Sequence, residues 1–232
     1  MTESQKFKIR CPNCQHVQSV EIFETIDVSL YEGYKEKAKN LEFFKTCCEN
    51  CKKDITLAYN CLYNDIDKRI MIWLLPNPTE EEVKSINAAR QREIDGRPVG
   101  SLYIERIVTT PDELKEKLLI FEAGYDDRII ELLKIIFLAQ LDKITGSAKI
   151  KDEPVDAIYF DSAGEEDKGS FAVFFKNREP LVEPLDYKLY LKLFDDFIEF
   201  VGHHTKAGFQ FIDYEWAIEI IKKKAKEVSP SV

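Results

Sequence analysis

The chain has 232 residues, of which 44% are hydrophobic and 32% are charged, a mixture typical of globular proteins rather than of disordered chains. Its net charge of −9 disfavours a dedicated nucleic-acid binder, because such proteins present a basic surface to phosphates. We find no apolar run near the roughly 20 residues that span a bilayer and expect no secretion signal. We therefore expect a cytoplasmic protein with reduced cysteines.

The first third of the chain predicts mainly β-structure. Alternating and β-branched residues favour strands at 7–10, 16–28, 41–46, 55–63 and 69–75. The polar segment 31–40 between them is expected to be a short helix or a loop. No internal repeat is evident.

The rest of the chain predicts helices with a few strands. A helix should begin at Asn77-Pro78, and a strand should follow at 101–108. Thr110 and Glu113 form a capping box before the next helix, and an almost wholly apolar helix is expected at 126–143. A hairpin of strands 155–160 and 170–175 and helices at 187–201 and 213–226 complete the pattern.

These elements predict an α+β fold, in which a zinc-ribbon-like antiparallel β region packs with a helical part and a C-terminal β-hairpin plus helices. We expect three parts: a zinc-ribbon-like β region at 1–76, a helical part at 77–145, and a C-terminal α+β extension at 146–232.

Two Cys-x-x-Cys pairs carry the clearest chemical signal, namely Cys11 with Cys14 and Cys48 with Cys51. Zinc in structural sites takes four ligands in tetrahedral directions, and a two-residue gap lets one tight turn aim two sulfurs at the ion. The separation between the pairs is longer than the roughly 15–20 residues of compact sites, but a long hairpin or inserted helix accommodates it. The sequence therefore predicts one structural Zn²⁺ held by these four cysteines.

Alternatives to this ligand set stay open. A disulfide or redox motif would need a thioredoxin-like setting in which the motif opens a helix, whereas the residues after Cys14 predict a strand. Cys47 adjoins Cys48 and could replace it, although its spacing to Cys51 is less regular. His16 is interpreted as an exposed strand residue or a hydrogen-bond donor near the site, and Cys61 as a small buried hydrophobe.

Several stretches resemble the CpXC domain, a group of prokaryotic proteins to which no function is assigned. They are Cys11-Pro12-Asn13-Cys14, the segment 71–76, Arg106-Ile107-Val108, the segment 113–118 and the Asp-Asp-Arg helix start within 124–134. The likeness covers about residues 5–140 and implies metal binding and a bacterial or archaeal origin. The chain departs from it at Glu49, where the second motif of the family has proline.

One polar group on the predicted apolar helix has two interpretations. Asp127, Glu131, Lys134 and Asp142 fall within an arc of about 80°, with Arg128 at its edge. They could form a buried polar network or a ligand-facing stripe. We favour a solvated face with intrahelical ion pairs, including Arg128 with Glu131.

Other candidate site residues have simple interpretations. His203 and His204 should follow a helix end, where the helix dipole favours a cation. The acidic run Glu165-Glu166-Asp167 lies in a loop expected at 163–169 and lacks the spacing of a calcium loop.

The sequence predicts a zinc-binding protein that is most simply a non-catalytic scaffold or interaction module with a protein partner, or with itself. One alternative is a nucleic-acid-binding zinc ribbon, which needs Lys6, Lys8, Arg10, Lys45, Lys52 and Lys53 on one face. Another is an enzyme with a cleft between the β and helical parts, using titratable residues such as Glu131, His203 or His204. We identify no catalytic residues.

Overall fold

The computed structural model describes residues 4–94, 103–146, 153–161 and 169–228. The chain forms two compact units, one of residues 1–115 with 207–210, the other of residues 116–206 with 211–232. Both helices and sheets are present, so the predicted α+β class is confirmed. The division of the chain at residues 76 and 145 stays a prediction. None of the helices in the described ranges combines the length and apolar content that crossing a bilayer requires.

The first unit contains β1 (Ser4–Arg10), β2 (Val17–Phe23), β3 (Thr25–Asp27), α1 (Tyr34–Lys39), β4 (Lys45–Cys47), β5 (Asp54–Thr56), β6 (Cys61–Asp65), β7 (Ile70–Leu74), α2 (Glu80–Ile94), β8 (Ile104–Val108) and β12 (Gln210–Phe211), the last of which ends in the second unit. Within the described residues these strands form three separate sheets. Two are antiparallel pairs, β1 with β2 and β4 with β5. The third has five strands in the order β12-β8-β7-β6-β3.

The five-stranded sheet supplies the apolar core of this unit. Side chains on β6 and β7 alternate between buried and half-buried, as the period of a strand requires. Tyr63, Ile72 and Leu74 are almost completely buried. Helix α2 is joined to β8 by a buried ion pair between Arg90 and Glu105.

Three predicted strands of the first unit are interrupted in the structure. The predicted strand 55–63 is divided into β5 and β6, with residues 57–60 outside either strand. The predicted strand 16–28 is divided at Glu24 into β2 and β3. The predicted strand 41–46 is mostly a 3₁₀ turn, Glu42–Phe44, followed by β4. Leu41 begins that turn with a left-handed backbone, φ 59°, which an apolar sequence pattern does not reveal.

The second unit contains α3 (Pro111–Glu122), which begins in the first unit, α4 (Asp127–Ala139), α5 (Leu141–Thr145), β9 (Val155–Asp161), β10 (Ser170–Phe175), β11 (Leu181–Pro184), α6 (Tyr187–His204) and α7 (Tyr214–Val228). Its helices pack against a three-stranded antiparallel sheet in the order β11-β10-β9. The core includes Ile129, Ile130 and Leu133 of α4 together with Phe171 and Val173 of β10.

Helix ends in this part follow local chemistry. The predicted capping box is confirmed, because Glu113 N–H donates to Thr110 Oγ1 at 3.2 Å and Thr110 N–H donates back to the Glu113 carboxylate at 3.4 Å. The predicted helix 126–143 is interrupted at Gln140, so it forms α4 and α5. Helix α6 continues through Gly202 to His204, beyond its predicted end.

Candidate metal centre

The first knuckle, residues 11–16, is the turn between β1 and β2. Cys11 N–H donates to the His16 carbonyl at 2.8 Å, and Gln15 N–H donates to the Cys11 carbonyl at 3.0 Å. Gln15 has a left-handed backbone, φ 63°, which turns the chain back into β2. This turn brings Cys14 to the same side as Cys11, so that both sulfurs join one cluster.

The second knuckle, residues 48–53, repeats this geometry between β4 and β5. Cys48 N–H donates to the Lys53 carbonyl at 2.9 Å, Lys52 N–H donates to the Cys48 carbonyl at 3.0 Å, and Lys52 has φ 58°. Each feature recurs with an offset of 37 residues. The two knuckles share this backbone turn although Pro12 in the first corresponds to Glu49 in the second.

The four sulfurs converge. Sγ atoms of Cys11, Cys14, Cys48 and Cys51 all lie within 4.8 Å of one another. Across the knuckles, Cys11 Sγ lies 3.7 Å from Cys51 Sγ, and Cys14 Sγ lies 3.6 Å from Cys48 Sγ. Sulfurs placed tetrahedrally about 2.3 Å from one zinc ion would be about 3.8 Å apart. The arrangement therefore fits one tetrahedral ion.

The disulfide and redox alternatives do not describe this arrangement. A disulfide holds its sulfurs about 2.05 Å apart, and all six cysteines are free thiols. Both Cys-x-x-Cys motifs occupy turns between antiparallel strands, whereas a thioredoxin-like motif opens a helix.

Hydrogen bonds favour the thiolate form of Cys14. The His16 N–H and the Asn50 side-chain amide both donate to its sulfur, the latter at 3.6 Å, and they lower the pKa of Cys14 to about 6. Since the thiolate is the form that binds a metal, these donors prepare Cys14 as a ligand.

The second knuckle receives the matching set of donors. The Lys53 N–H and the Asn13 side chain lower the pKa of Cys51. Cys48 differs, because burial and the neighbouring sulfurs outweigh the Cys51 N–H and raise the pKa of Cys48 to about 11. A bound cation favours deprotonation of such a thiol, since the ion neutralises the sulfur charge. Asn13 and Asn50 are therefore site residues that the sequence analysis missed, although each lies inside a Cys-x-x-Cys motif.

The other cysteines and the histidine considered near this site lie outside the four-sulfur cluster. Cys48 is buried among the four sulfurs, whereas Cys47 is exposed, so the geometry selects Cys48 for the cluster. Cys61 is buried in β6, and burial raises the pKa of its thiol to about 12. His16 is half-buried, with Nε2 3.9 Å from a carboxylate oxygen of Glu49.

A second cluster of charged residues lies inside the second unit. Glu116 and Lys117 of α3 join Asp127, Glu131 and Lys134 of α4, and each of the five residues is at most 4% exposed. Lys117 Nζ lies 2.9 Å from Glu131 and 3.3 Å from Asp127. Lys134 Nζ lies 2.6 Å from Glu116 and 3.1 Å from Glu131. The preferred prediction of a solvated face was therefore wrong for Asp127, Glu131 and Lys134.

This buried charge cluster is also anchored to backbone groups. Lys117 Nζ donates to the Ile212 carbonyl at 2.7 Å, and Phe160 N–H donates to the Glu116 carboxylate. Burial acts to raise the pKa of Glu131, but the ammonium groups of Lys117 and Lys134 lower it below its ordinary value. The Glu131 carboxylate thus pairs with the ammonium groups of two lysines, as in a structural network of buried ion pairs.

The remaining members of the predicted polar group lie outside this cluster. Arg128 does not pair with Glu131 as predicted but with Asp126, with Nη2 2.6 Å from Oδ2, and it donates to Thr205 Oγ1 at 3.3 Å. Asp142 is half-buried in α5.

Both histidines lie within the last turn of α6 rather than beyond it. His204 Nδ1 donates to the Phe200 carbonyl at 2.8 Å, and its ring stacks on Phe200, whereas His203 is exposed. The predicted acidic loop with Glu165-Glu166-Asp167 falls in 162–168, outside the described residues except at its Gly169 end.

Comparison with known proteins places this centre within a family. The family model described as CpXC protein matches residues 9–134, a range that includes both cysteine motifs and all five residues of the buried charge cluster. No curated protein and no solved structure matches the chain. With more than half of its length matched, the chain belongs to the CpXC protein family.

Proposed function

We propose that Cys11, Cys14, Cys48 and Cys51 bind one Zn²⁺ ion as a structural site. The observation that carries this proposal is the convergence of four sulfurs within 4.8 Å, with cross-knuckle separations of 3.6 and 3.7 Å. A tetrahedral set of four sulfurs suits zinc or iron, and zinc is the usual occupant of such closed structural sites. The bound ion would supply a cross-link between two hairpins.

A structural role follows from the donor set and the size of the hairpins. Four thiolates occupy all four coordination positions of a tetrahedral zinc ion, so no position remains for water or substrate. The strands β4 and β5 have only three residues each, and an isolated two-stranded hairpin is marginally stable. Metal binding would therefore contribute folding free energy to this part of the chain.

Elemental analysis tests the metal site. Protein purified without chelators is expected to contain about one zinc per chain, and Cys48→Ser is expected to lose it because a hydroxyl replaces one thiolate. The matched control is Cys47→Ser, which alters the adjacent exposed cysteine and should retain the ion. Iron in place of zinc would correct the metal, whereas metal-free wild-type protein would refute the site.

For the cellular role we propose a non-catalytic scaffold or interaction module in the cytoplasm, with a protein partner or a second copy of the chain. Support comes from the closed donor set, from the net charge of −9, and from six cysteines that form no disulfide, a state that a reducing compartment preserves. Light scattering and affinity capture with purified candidate partners test this role. A protein that stays monomeric at all concentrations and captures none of them argues against it.

A second candidate function, binding of single-stranded nucleic acid, is favoured by one specific observation. Lys6, Lys8 and Arg10 alternate along β1 and so share one face of its hairpin with β2, and all three are exposed. Their spacing is about 7 Å for every second residue of a strand. Of the other predicted basic residues, Lys45 lies exposed on β4, whereas Lys53 Nζ donates to Asn13 Oδ1 at 3.0 Å.

Fluorescence anisotropy with single-stranded DNA and RNA tests this alternative. Binding should weaken with added salt and should be lost when Lys6, Lys8 and Arg10 are changed to Glu, because these cations would neutralise phosphates. The same triple change at Lys222, Lys223 and Lys226, on α7, is the control for net charge. If both triple variants bind alike, the β1 face is not a nucleic-acid surface.

A further inference from the structure

A buried polar side chain of the first hairpin reaches the second knuckle. Gln18 of β2 is only 6% exposed, and it pairs in register with Ile9 of β1, on the same face of the hairpin as the buried Val20. The alternation of the strand would place an apolar residue at this position. An amide here is costly to bury unless it is fully hydrogen-bonded.

Both ends of the Gln18 amide bind the backbone of the second knuckle. Its Nε2 donates to the Cys47 carbonyl at 3.0 Å, and its Oε1 accepts from the Glu49 N–H at 2.9 Å. These two backbone groups flank Cys48, so one side chain holds the chain on both sides of a proposed ligand. The side chain belongs to the first hairpin and therefore fixes the second knuckle relative to the first.

Comparison of the two knuckles shows that this contact is not a general feature of the turn. With the offset of 37 residues, the counterpart of Gln18 is Ile55 of β5, which is buried and apolar. Ile55 cannot bind the first knuckle in the same way, because it has no side-chain donor or acceptor. Of these two corresponding residues, Gln18 therefore contacts the opposite knuckle through side-chain hydrogen bonds and Ile55 does not.

We propose that Gln18 is a positioning residue of the metal centre, which holds Cys48 in the direction of the other three sulfurs and slows release of the ion. This inference rests on the proposed zinc site. Loss of the amide would leave the Cys47 carbonyl and the Glu49 N–H without this partner. The side-chain contacts from the second knuckle to the first would then include the exposed hydrogen bonds of Asn50 and Lys53. Groups that orient metal ligands typically change metal affinity about 10- to 100-fold when they are replaced.

The test compares three variants of the full chain. Gln18→Leu removes both hydrogen bonds at similar volume, Gln18→Glu keeps the acceptor for Glu49 N–H, and Gln5→Leu makes the same change at an exposed position on the paired strand. The first readout is the rate of zinc transfer to a chromophoric chelator in excess. We expect Gln18→Leu to release zinc about 10- to 100-fold faster than the wild type, Gln18→Glu to be intermediate, and Gln5→Leu to be unchanged.

Two further readouts separate positioning from a general loss of stability. The ligand-field bands of the Co²⁺-substituted protein report the ligand geometry and should shift in Gln18→Leu but not in Gln5→Leu. In metal-free protein, alkylation of Cys48 followed by peptide mass spectrometry should accelerate in Gln18→Leu.

The outcomes are distinguishable. Wild-type release rates and unchanged Co²⁺ bands in Gln18→Leu would overturn the positioning role while leaving the zinc site intact. Failure of the wild-type protein to bind zinc or Co²⁺ would instead refute the site itself. If Gln18→Leu does not fold, Gln18→Glu decides: release faster than in Gln5→Leu supports the role, and release at the wild-type rate overturns it.

Discussion

At the scale of single residues, the buried charge cluster is the most demanding feature of the second unit. Three carboxylates, of Glu116, Asp127 and Glu131, face the two ammonium groups of Lys117 and Lys134. Each lysine contacts two carboxylates, and Glu131 contacts both lysines. Removal of one partner from such a network leaves a buried charge uncompensated, which costs about 3–5 kcal/mol.

Glu131→Gln is therefore expected to lower the free energy of unfolding by about 3 kcal/mol or more, because both lysines lose their shared anion. Chemical denaturation followed by circular dichroism measures this change. Glu219→Gln is the control, since the Glu219 carboxylate is exposed and lies 3.9 Å from Lys223. That surface pair should contribute less than about 1 kcal/mol. Equal effects of the two substitutions would contradict a buried network.

The contributions of Glu131 and Glu116 to stability should depend on pH in opposite directions. The lysines lower the pKa of Glu131, so its stabilisation is complete above the ordinary Glu pKa of about 4.3 and is lost as pH falls through the lower folded-state pKa. The destabilisation caused by Glu131→Gln should therefore shrink below about pH 4. Denaturation curves for the wild type and the variant at several pH values measure this difference.

Burial instead raises the pKa of Glu116, despite the nearby Lys134. Its contribution to stability is then present below the ordinary Glu pKa and is lost as pH rises through the raised folded-state pKa. The free energy of unfolding of Glu116→Gln, relative to that of the wild type, should consequently be higher at pH 8 than at about pH 4. The same trend with pH for both variants would show that the two carboxyls do not differ in this way.

At the scale of elements, helix α4 begins with a residue that has two roles. Asp126 caps the helix by accepting from the Arg128 N–H at 2.9 Å, and it also binds the Arg128 guanidinium. The cap satisfies a backbone donor that the helix cannot pair internally. Asp186 caps α6 by accepting from the Leu189 N–H at 3.0 Å in a more exposed setting.

Asp126→Ala should cost about 2 kcal/mol of unfolding free energy, against about 1 kcal/mol for Asp186→Ala, because only the first also breaks a partly buried ion pair. Thermal and chemical denaturation of both variants provide the comparison. An Asp186→Ala effect as large as that of Asp126→Ala would reduce the role of Asp126 to capping alone.

The two knuckle hairpins are the elements that the proposed metal would stabilise most. The pairs β1–β2 and β4–β5 are separate two-stranded sheets, whose small apolar cluster consists of Cys11, Cys48 and Ile55 with a few half-buried neighbours. Removal of the ion should therefore increase amide hydrogen exchange in these hairpins, because an isolated hairpin is marginally stable.

Hydrogen exchange of the zinc-loaded and zinc-depleted protein, read by mass spectrometry, measures this effect. Peptides from β1–β2 and β4–β5 should lose protection by at least tenfold, the equivalent of about 1.4 kcal/mol. Helix α4, whose apolar residues are buried in the core of the second unit, should retain its protection and is the internal control. Unchanged exchange in both hairpins would contradict a structural role for the metal.

At the scale of the whole molecule, the chain consists of two compact units, and the family match ends at residue 134, within α4. The match thus contains the cysteine cluster and the buried charge cluster, whereas the sheet β11-β10-β9 and the helices α6 and α7 lie beyond it. The structure of those later elements was nevertheless predictable in outline. Their strand alternation and helix caps are local patterns, and the hairpin of β9 and β10 formed as expected.

The amino-acid sequence by itself determined the features that depend on neighbours along the chain. A two-residue gap between cysteines defines a knuckle, and Thr110 with Glu113 defines a helix start, because each uses atoms only a few bonds apart. The family resemblance, which the match over residues 9–134 confirms, rested on the same local motifs.

Tertiary structure alone decided which polar side chains are buried. The polar arc of α4 looks the same whether it faces water or the ammonium group of Lys117, which comes from a different helix. Gln18 likewise shows its role only when the second knuckle, about thirty residues away, supplies a carbonyl and an N–H. Burial and hydrogen bonding depend on partners brought together by the fold, and a linear pattern does not contain that information.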